Sequence, residues 1–535
     1  MPSYLNRTEN FFALDSFSVK KIGVEKWHKK FYWPFTINFF PELNHVIIMS
    51  LLELINDSTS TEKDLLLINY SDFNSGLTIY IHHHLLFENI FKKNHSPLFE
   101  DSLRVKNVHK DLPLNSKLYW DEIINKKKLK QILSRPIKNQ ISFKDRVLFR
   151  LNVIQKNIKN NPKAFGNYFK NKRSRILIGE RFSNEMLSFN KENLFRLPIE
   201  AINISKNPAT ENIKKIVDKF FEILHANTKN KFVNINFNSF KDVISSNLQL
   251  SHDYCKYFEK NLKKYSECKV FANHLSHPLI RSFCIGAKRN KIQTFGFPHG
   301  NYIGSQSALW VQLMFFGVVE NFVCPNEGSL DLYIKSEKKL RTLINKKTTL
   351  VPNKNSNYFK NIYNFSIPKI SNDDKKKKIM FVEVGLSDTA YYWPFYLDLT
   401  LKVAKALKNK EFELILKKRP ERLEDSKHIY DNFFDTIITE PFEKVYKNAD
   451  IFVFFEFGTT TFPVAALSKS PIIGFSHTLN QHWKEYQALI NQRCEIIETN
   501  FDNKNSLIFC KKTLLSKLKK IKTPNLGLVK KFYLS

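Results

Sequence analysis

The sequence predicts an α/β protein built from two Rossmann-like domains that face a cleft, with a helical insertion in the N-terminal half. The chain has 535 residues, which is too long for one ordinary hydrophobic core and long enough for two α/β domains. Short apolar runs alternate with amphipathic stretches throughout the second half, and the alternation recurs more weakly in the first half. Strands that alternate with helices form parallel sheets covered on both faces.

The second half carries the clearer alternation. Strands are predicted at 378–385, 412–418, 435–439, 450–455 and 470–475, with helices at 396–410 and 419–434. These elements predict a C-terminal domain over 341–535, joined to the first domain near 340–375.

The first half predicts a second sheet, in a domain covering 1–340. Strands are predicted at 63–70, 174–179, 268–273 and 291–297, with helices at 212–227 and 277–290 and a basic, mainly helical insertion near 100–170. The most apolar window, 308–324, is too short for a membrane span and is interrupted by polar residues, so we expect buried protein there.

The composition favours an acidic partner. Lys and Arg total 84 against 51 Asp and Glu, a formal net charge of +33, which suits phosphorylated substrates, anionic lipid or nucleic acid. The lysines lie in short scattered runs without a nucleic-acid-binding motif, so we expect no nucleic acid partner. The charge alone still makes a non-catalytic nucleic-acid-binding protein the alternative from another functional class.

The cysteines and the N-terminus favour a cytoplasmic protein. The six cysteines form no CxxC pair, which predicts neither a zinc site nor a disulfide framework, and the N-terminus lacks the apolar core of a signal peptide. The aromatic-rich segment 26–40 is explained either by core packing or by attachment to the anionic inner face of the membrane.

In the first domain, the candidate catalytic residue is His299. It follows the predicted strand 291–297, with Gly300 and Asn301 in the same loop, and imidazole suits a general base that deprotonates a hydroxyl. His274 and His277 follow the preceding strand, and we expect them to line the cleft or cap a helix rather than to bind metal. The triplet His82, His83 and His84 points in different directions along a helix, which indicates a structural role.

In the second domain, three strand ends carry polar residues. Glu383, Gly385, Ser387 and Asp388 follow the first strand, where a carboxylate can orient a hydroxyl or replace His299 as the base. Lys417, Lys418 and Arg419 end the next strand and can neutralise phosphate. Gly458, Thr459, Thr460 and Thr461 lead from a strand into a helix, which suits either phosphate binding or simple helix capping.

The order of these motifs resembles the GT-B glycosyltransferases of bacterial surface-polysaccharide synthesis. The similar families are the capsule Kdo transferases, the bacterial sialyltransferases and the CDP-glycerol glycerophosphotransferases, and the resemblance spans roughly 265–475. It implies that His299 is a base or cleft residue, that 417–420 is the nucleotide motif, and that Thr459–Thr461 bind phosphate.

The resemblance implies an enzyme that needs no metal or other cofactor. It would move a sugar from a nucleotide-activated donor to a hydroxyl of a surface glycan or a lipid-linked acceptor. A CMP-linked sugar is the donor that the resemblance favours, but Arg419 stands where the family usually has histidine, so uridine and guanosine sugars stay open. Polyol-phosphate transfer and nucleotide-sugar epimerisation are alternatives on the same fold.

Overall fold

The structure is a computed structural model that describes most of both halves of the chain. The described residues are 11–93, 95–98, 176–178, 184–189, 194–197, 199, 202, 204, 207–273, 275–299, 304–366, 376–384, 392–408, 411–419, 428–477, 481–520 and 523–535.

The strands within this part of the chain are β1 (Phe11–Ala13), β2 (Ser96–Leu98), β3 (Ile176–Ile178), β4 (Leu194–Arg196), β5 (Lys269–Ala272), β6 (Gln293–Gly296), β7 (Asn321–Cys324), β8 (Thr349–Pro352), β9 (Lys377–Val382), β10 (Phe412–Lys417), β11 (Thr436–Ile438), β12 (Ile451–Phe454), β13 (Ile472–Phe475), β14 (Glu495–Ile497), β15 (Thr499–Phe501) and β16 (Leu507–Phe509).

The α-helices are α1 (Ser16–Ile22), α2 (Val24–Lys29), α3 (Phe39–Asn56), α4 (Ser60–Ile68), α5 (Leu77–Lys92), α6 (Asn184–Phe189), α7 (Glu211–Asn227), α8 (Asn238–Leu262), α9 (Pro278–Arg289), α10 (Leu309–Phe316), α11 (Leu330–Ile344), α12 (Tyr358–Asn364), α13 (Trp393–Leu407), α14 (Phe442–Val445), α15 (Phe462–Leu467), α16 (Lys484–Arg493), α17 (Lys511–Lys519) and α18 (Gly527–Phe532).

The C-terminal sheet has six parallel strands in the order β11-β10-β9-β12-β13-β14. Counted within the domain, this is the third, second, first, fourth, fifth and sixth strand, which is the Rossmann order. The strand order reverses between β9 and β12, so the carboxyl ends of these two strands flank the crevice where open α/β sheets bind ligands. The Rossmann-like fold predicted for this half is confirmed.

The N-terminal sheet is also six-stranded and parallel, in the order β4-β3-β5-β6-β7-β8. Helix α9 connects β5 to β6, and the long helix α8 packs against both α9 and α4. Since β8 pairs with β7, the first sheet continues to Pro352, past residue 340 where sequence analysis ended the first domain. The apolar window 308–324 forms α10 and β7, whose side chains are largely buried, as predicted.

Two predicted elements differ in the structure. The run 63–70 was predicted as a strand, but it lies mostly in α4, where Thr59 and Glu62 form a reciprocal capping box at the helix start. Four consecutive buried residues end this helix, and a short apolar run of that kind does not distinguish a buried helix from a strand. Residues 428–434, predicted as the end of a helix, form turns, while the insertion 100–170 lies outside the described residues.

The aromatic segment near the N-terminus packs on the C-terminal domain. We call residues 24–35 the N-terminal arm. Trp27 stacks on Trp393 of α13 with 6.1 Å between ring centroids, and Phe31 meets Phe395 at 6.2 Å. Trp27 and Phe31 are both buried. Core packing, one of the two explanations that the sequence left open, therefore accounts for the aromatic residues Trp27 and Phe31.

A buried ionic network fixes the N-terminal arm to α13. Asp398 is fully buried and lies 2.8 Å from Nδ1 of His28 in the arm and 2.8 Å from Nζ of Lys402. The Ser506 hydroxyl donates to the second carboxylate oxygen at 2.5 Å. A buried carboxylate is tolerated because its oxygens have these partners.

Within the described chain, no helix has the length and apolarity needed to cross a bilayer.

Candidate functional site

A loop that follows the carboxyl end of β6 contacts a loop that follows the carboxyl end of β13. The backbone N–H of Ser307 donates to the carbonyl of Gln481 at 2.7 Å, and the N–H of Trp483 donates to the carbonyl of Ser305 at 3.0 Å. Gln306 and His482 form an antiparallel bridge between these hydrogen bonds. The loop that begins at the predicted His299 motif therefore ends in direct contact with the second domain.

Gly304 lets this loop turn toward the second domain. Its φ is +71°, a left-handed conformation that favours glycine. A Cβ atom at this position would lie 2.9 Å from the ring of Tyr333, which is fully buried. A larger residue would therefore strain the backbone and displace a core side chain.

Of the first-domain candidates, His299 lies exposed beyond the end of β6. It lies three residues beyond the end of β6, at the carboxyl edge of the sheet, and its side chain is exposed. His277 caps α9, because its Nδ1 accepts the N–H of Leu279 at 3.3 Å, which is one of the roles predicted for it. His274, Gly300 and Asn301 lie outside the described residues.

Glu383 connects the ends of β9 and β10. Its side chain is buried, and Oε2 accepts the backbone N–H of Arg419 at 3.3 Å. Its own N–H donates to the carbonyl of Lys417 at 3.0 Å. Burial raises the pKa of nearby Tyr430, and the Glu383 charge raises it further, which keeps the phenol protonated. Glu383 thus braces the loop that carries Arg419, while Gly385, Ser387 and Asp388 lie outside the described residues.

The three cations at the end of β10 differ in exposure. Lys417 is buried and its ammonium donates to the carbonyl of Lys418, which is buried as well. The backbone N–H of Lys418 donates to Ile438 at 2.8 Å and extends the pairing with β11. Arg419 is exposed. Arg419 is therefore the cation of this group whose side chain is open to a ligand.

The loop after β12 presents hydroxyl groups. Oγ1 of Thr459 and Oγ1 of Thr461 are 3.0 Å apart, and Thr460 is exposed. Thr461 is the N-cap of α15, but its side chain makes no capping hydrogen bond, so helix capping does not account for this hydroxyl. Because α15 has only six residues, the hydroxyls rather than a helix dipole are the groups that could hold an anion here.

Three residues that were not predicted from the sequence pack behind this loop: Tyr396, Glu456 and His477. The hydroxyl of Tyr396, which lies on α13, donates to Oε2 of Glu456 at 2.5 Å, and Oε1 of Glu456 accepts the N–H of Gly458 at 3.3 Å. Nε2 of His477 contacts the carbonyl of Phe455, and the His477 ring lies 5.6 Å from the Tyr396 ring. Glu456 lies two residues before the predicted Gly458–Thr461 motif, but no sequence signal links it to Tyr396, 60 positions away.

The described part of the chain contains no group of three or more His, Cys, Asp or Glu side chains arranged to hold a metal ion. The polar groups at the three strand ends are carboxylates, hydroxyls, backbone amides, the buried Lys417 and Lys418, and one exposed guanidinium. This set can hydrogen-bond a polyol and pair with a phosphate.

No protein-family profile matches the chain, and no curated protein matches it. The solved structures that match the chain include the following two. One is the S. aureus MnaA–UDP co-structure, with 11% identity and a TM-score of 0.32, covering 65% of this chain and 87% of that chain. The other is a Listeria monocytogenes protein assigned as a UDP-N-acetylglucosamine 2-epimerase, with 8% identity and a TM-score of 0.32, covering 67% of this chain and 88% of that chain. Similarity of this extent assigns no activity to this chain.

Proposed function

We propose that this chain is an enzyme that acts on a nucleotide sugar and transfers the sugar to a hydroxyl of a surface glycan or a lipid-linked acceptor. The observation that carries the proposal is the position of the polar residues in the C-terminal domain. The described ends of β9, β10 and β12, on both sides of the Rossmann switch point, carry Glu383, Arg419 and the Gly458–Thr461 loop.

The donor phosphates would bind between Arg419 and the threonine loop. Strands β10 and β12 lie on either side of β9, so their ends are about 10 Å apart. The exposed guanidinium of Arg419 and the hydroxyls of Thr459–Thr461 can thus approach one ligand from two sides. Both groups would stabilise the negative charge that develops on the departing phosphate. Lys417 would add positive charge from a buried position.

The base that deprotonates the acceptor would be His299. Its side chain is exposed at the carboxyl edge of the first sheet, and the same loop contacts the second domain a few residues later. Glu383, the alternative base, is buried and already hydrogen-bonded to the backbone of Arg419. This bracing position favours a structural role for Glu383, so we assign proton transfer to His299 rather than to Glu383. Asp388, the other carboxylate of that loop, lies outside the described residues.

Turnover with a panel of CMP-, UDP-, GDP- and ADP-linked sugars and CDP-glycerol tests the reaction class. Mass spectrometry would follow the freed nucleotide and the modified acceptor for the wild type, for His299→Ala and for His45→Ala, a matched exposed histidine on α3. We expect His299→Ala to lower turnover by about 100-fold. His45→Ala should have no effect.

The same assay separates the alternatives. Near-normal turnover by His299→Ala would remove the base assignment. Conversion of the donor to an isomer without acceptor would establish epimerisation, and incorporation of a polyol phosphate would establish the CDP-glycerol-type reaction.

Peripheral attachment to an anionic membrane surface would place the enzyme near a lipid-linked acceptor. The aromatic residues of the N-terminal arm are buried, so attachment would rest on basic residues such as Lys26, Lys29 and Lys30, which are exposed. Flotation with phosphatidylserine vesicles at low and high salt tests this. Equal recovery with neutral vesicles would exclude it.

A further inference from the structure

The loop after β12 is held by a pair of side chains from different parts of the domain. Glu456 is half-buried and uses both carboxylate oxygens, one for the hydroxyl of Tyr396 at 2.5 Å and the other for the N–H of Gly458 at 3.3 Å. A short hydrogen bond to a carboxylate is stronger than a neutral one. The pair therefore fixes the backbone of the loop at Gly458, the residue immediately before the first threonine.

Tyr396 is a rigid donor in this pair. It is buried within α13, and burial together with the Glu456 charge keeps its pKa well above the ordinary range for tyrosine. The phenol therefore stays protonated and continues to donate. Trp393, three residues earlier on α13, stacks against the N-terminal arm, so the helix that carries Tyr396 is itself fixed by packing.

The far end of α15 is fixed as well. Arg493 is buried, and its guanidinium donates to the carbonyls of Ala465, Ala466, Ser468 and Ser470, at distances between 2.8 and 3.3 Å. These carbonyls include those left unpaired at the end of the helix. Both ends of the segment 456–470 are thus anchored, and the threonines lie in the turn between the anchors.

We propose that Tyr396 and Glu456 are positioning residues that hold the Gly458–Thr461 turn in the shape that receives the phosphate groups of the donor. This inference rests on the proposed function. A bare carboxylate beside a phosphate would repel it, but the tyrosine hydroxyl and the glycine amide both donate to Glu456 and offset its charge. The hydroxyls of Thr459 and Thr461 hydrogen-bond each other at 3.0 Å, which leaves one of the two O–H groups to donate to the ligand.

The first test needs no ligand. Hydrogen–deuterium exchange would be measured on a peptide covering 455–462 in the wild type and in Tyr396→Phe, which removes a single hydroxyl. The control is Tyr358→Phe, which removes a tyrosine hydroxyl that donates to an exposed glutamate, Glu443, at 3.3 Å. We expect the peptide to exchange faster in Tyr396→Phe than in the wild type, and to exchange at the wild-type rate in the control. Unchanged exchange in Tyr396→Phe would overturn the positioning role.

The second test compares ligands with and without phosphate. Calorimetry with uridine and UDP, and with the cytidine and guanosine pairs, should show that Tyr396→Phe and Glu456→Ala weaken nucleoside diphosphate binding about tenfold and change nucleoside binding little. Glu456→Gln retains an acceptor oxygen and should restore most of the affinity. Equal losses for the nucleoside and the diphosphate would overturn the phosphate role.

The two tests distinguish failure of the positioning proposal from failure of the proposed function. If the wild type binds no nucleoside diphosphate while exchange responds to Tyr396→Phe, the pair still positions the loop, but the loop does not receive donor phosphates and the proposed function fails. If the wild type binds the diphosphate and neither Tyr396→Phe nor Glu456→Ala alters exchange or affinity, the positioning proposal fails and the proposed function stands.

Discussion

Replacing Asp398 by asparagine should destabilise the contact between the N-terminal arm and the C-terminal domain. Asp398 is fully buried and meets the His28 imidazole and the Lys402 ammonium, each at 2.8 Å, and the Ser506 hydroxyl at 2.5 Å. Breaking a buried pair costs about 3 to 5 kcal/mol. We expect about 3 kcal/mol, because Lys402 is 25% exposed and the asparagine oxygen can still accept one hydrogen bond.

For a cooperative unit the size of the C-terminal domain, that loss lowers Tm by roughly 6 to 12 °C. Thermal unfolding followed by circular dichroism would measure it. The control is Glu211→Gln, which breaks an exposed pair with Lys214 on α7 and should leave Tm unchanged. An Asp398→Asn protein that melts with the wild type would refute the reasoning that the buried network anchors the arm.

Three further predictions concern stability. Gly304→Ala should destabilise the protein by about 1 to 3 kcal/mol, because φ is +71° and the new Cβ would press on the Tyr333 ring; denaturant titration measures it. Burial lowers the pKa of His82 to about 3, below its unfolded value of about 6.5, so stability should fall as pH drops from 6.5 toward 3; His82→Leu should flatten this slope in acid titrations of Tm. Burial also lowers the pKa of Lys346 to about 7, so its ammonium opposes folding at neutral pH. Stability should therefore rise between about pH 7 and 10, and Lys346→Met should raise Tm at pH 7 and remove that rise.

The periodicity of the sequence predicts five of the six strands in the C-terminal sheet, but it does not predict the short sixth strand, β14. The buried runs of β9, β10, β12 and β13 are continuous and, apart from Lys417 at the end of β10, apolar, which is typical of strands covered on both faces. The strand order could not be predicted from the sequence, because it depends on pairings between distant segments, such as Ile379 with Ile451. The run 63–70 was misassigned for a local reason, since four consecutive buried residues suit a buried helix and a strand equally.

The candidate site was predictable only in part. Residues that directly follow a strand, such as His299 and Arg419, could be placed at a sheet edge from their position alone. The exposure of these two side chains could not be predicted from the sequence. The burial of Lys417 beside the exposed Arg419 could not be predicted either. The Tyr396–Glu456 hydrogen bond was also inaccessible, because it joins a helix to a loop that only the fold brings together.

The central claim is that a nucleotide binds at the carboxyl ends of the C-terminal sheet, and calorimetry with CMP, CDP, UDP, GDP and ADP tests it most directly. The wild type would be compared with Arg419→Ala and with Lys447→Ala, which removes an exposed cation shortly before the amino end of β12, on the opposite edge of the same sheet. We predict that one nucleotide binds, that Arg419→Ala weakens it about tenfold, and that Lys447→Ala leaves it unchanged. Equal loss in the two variants, or no binding by the wild type, would contradict the claim.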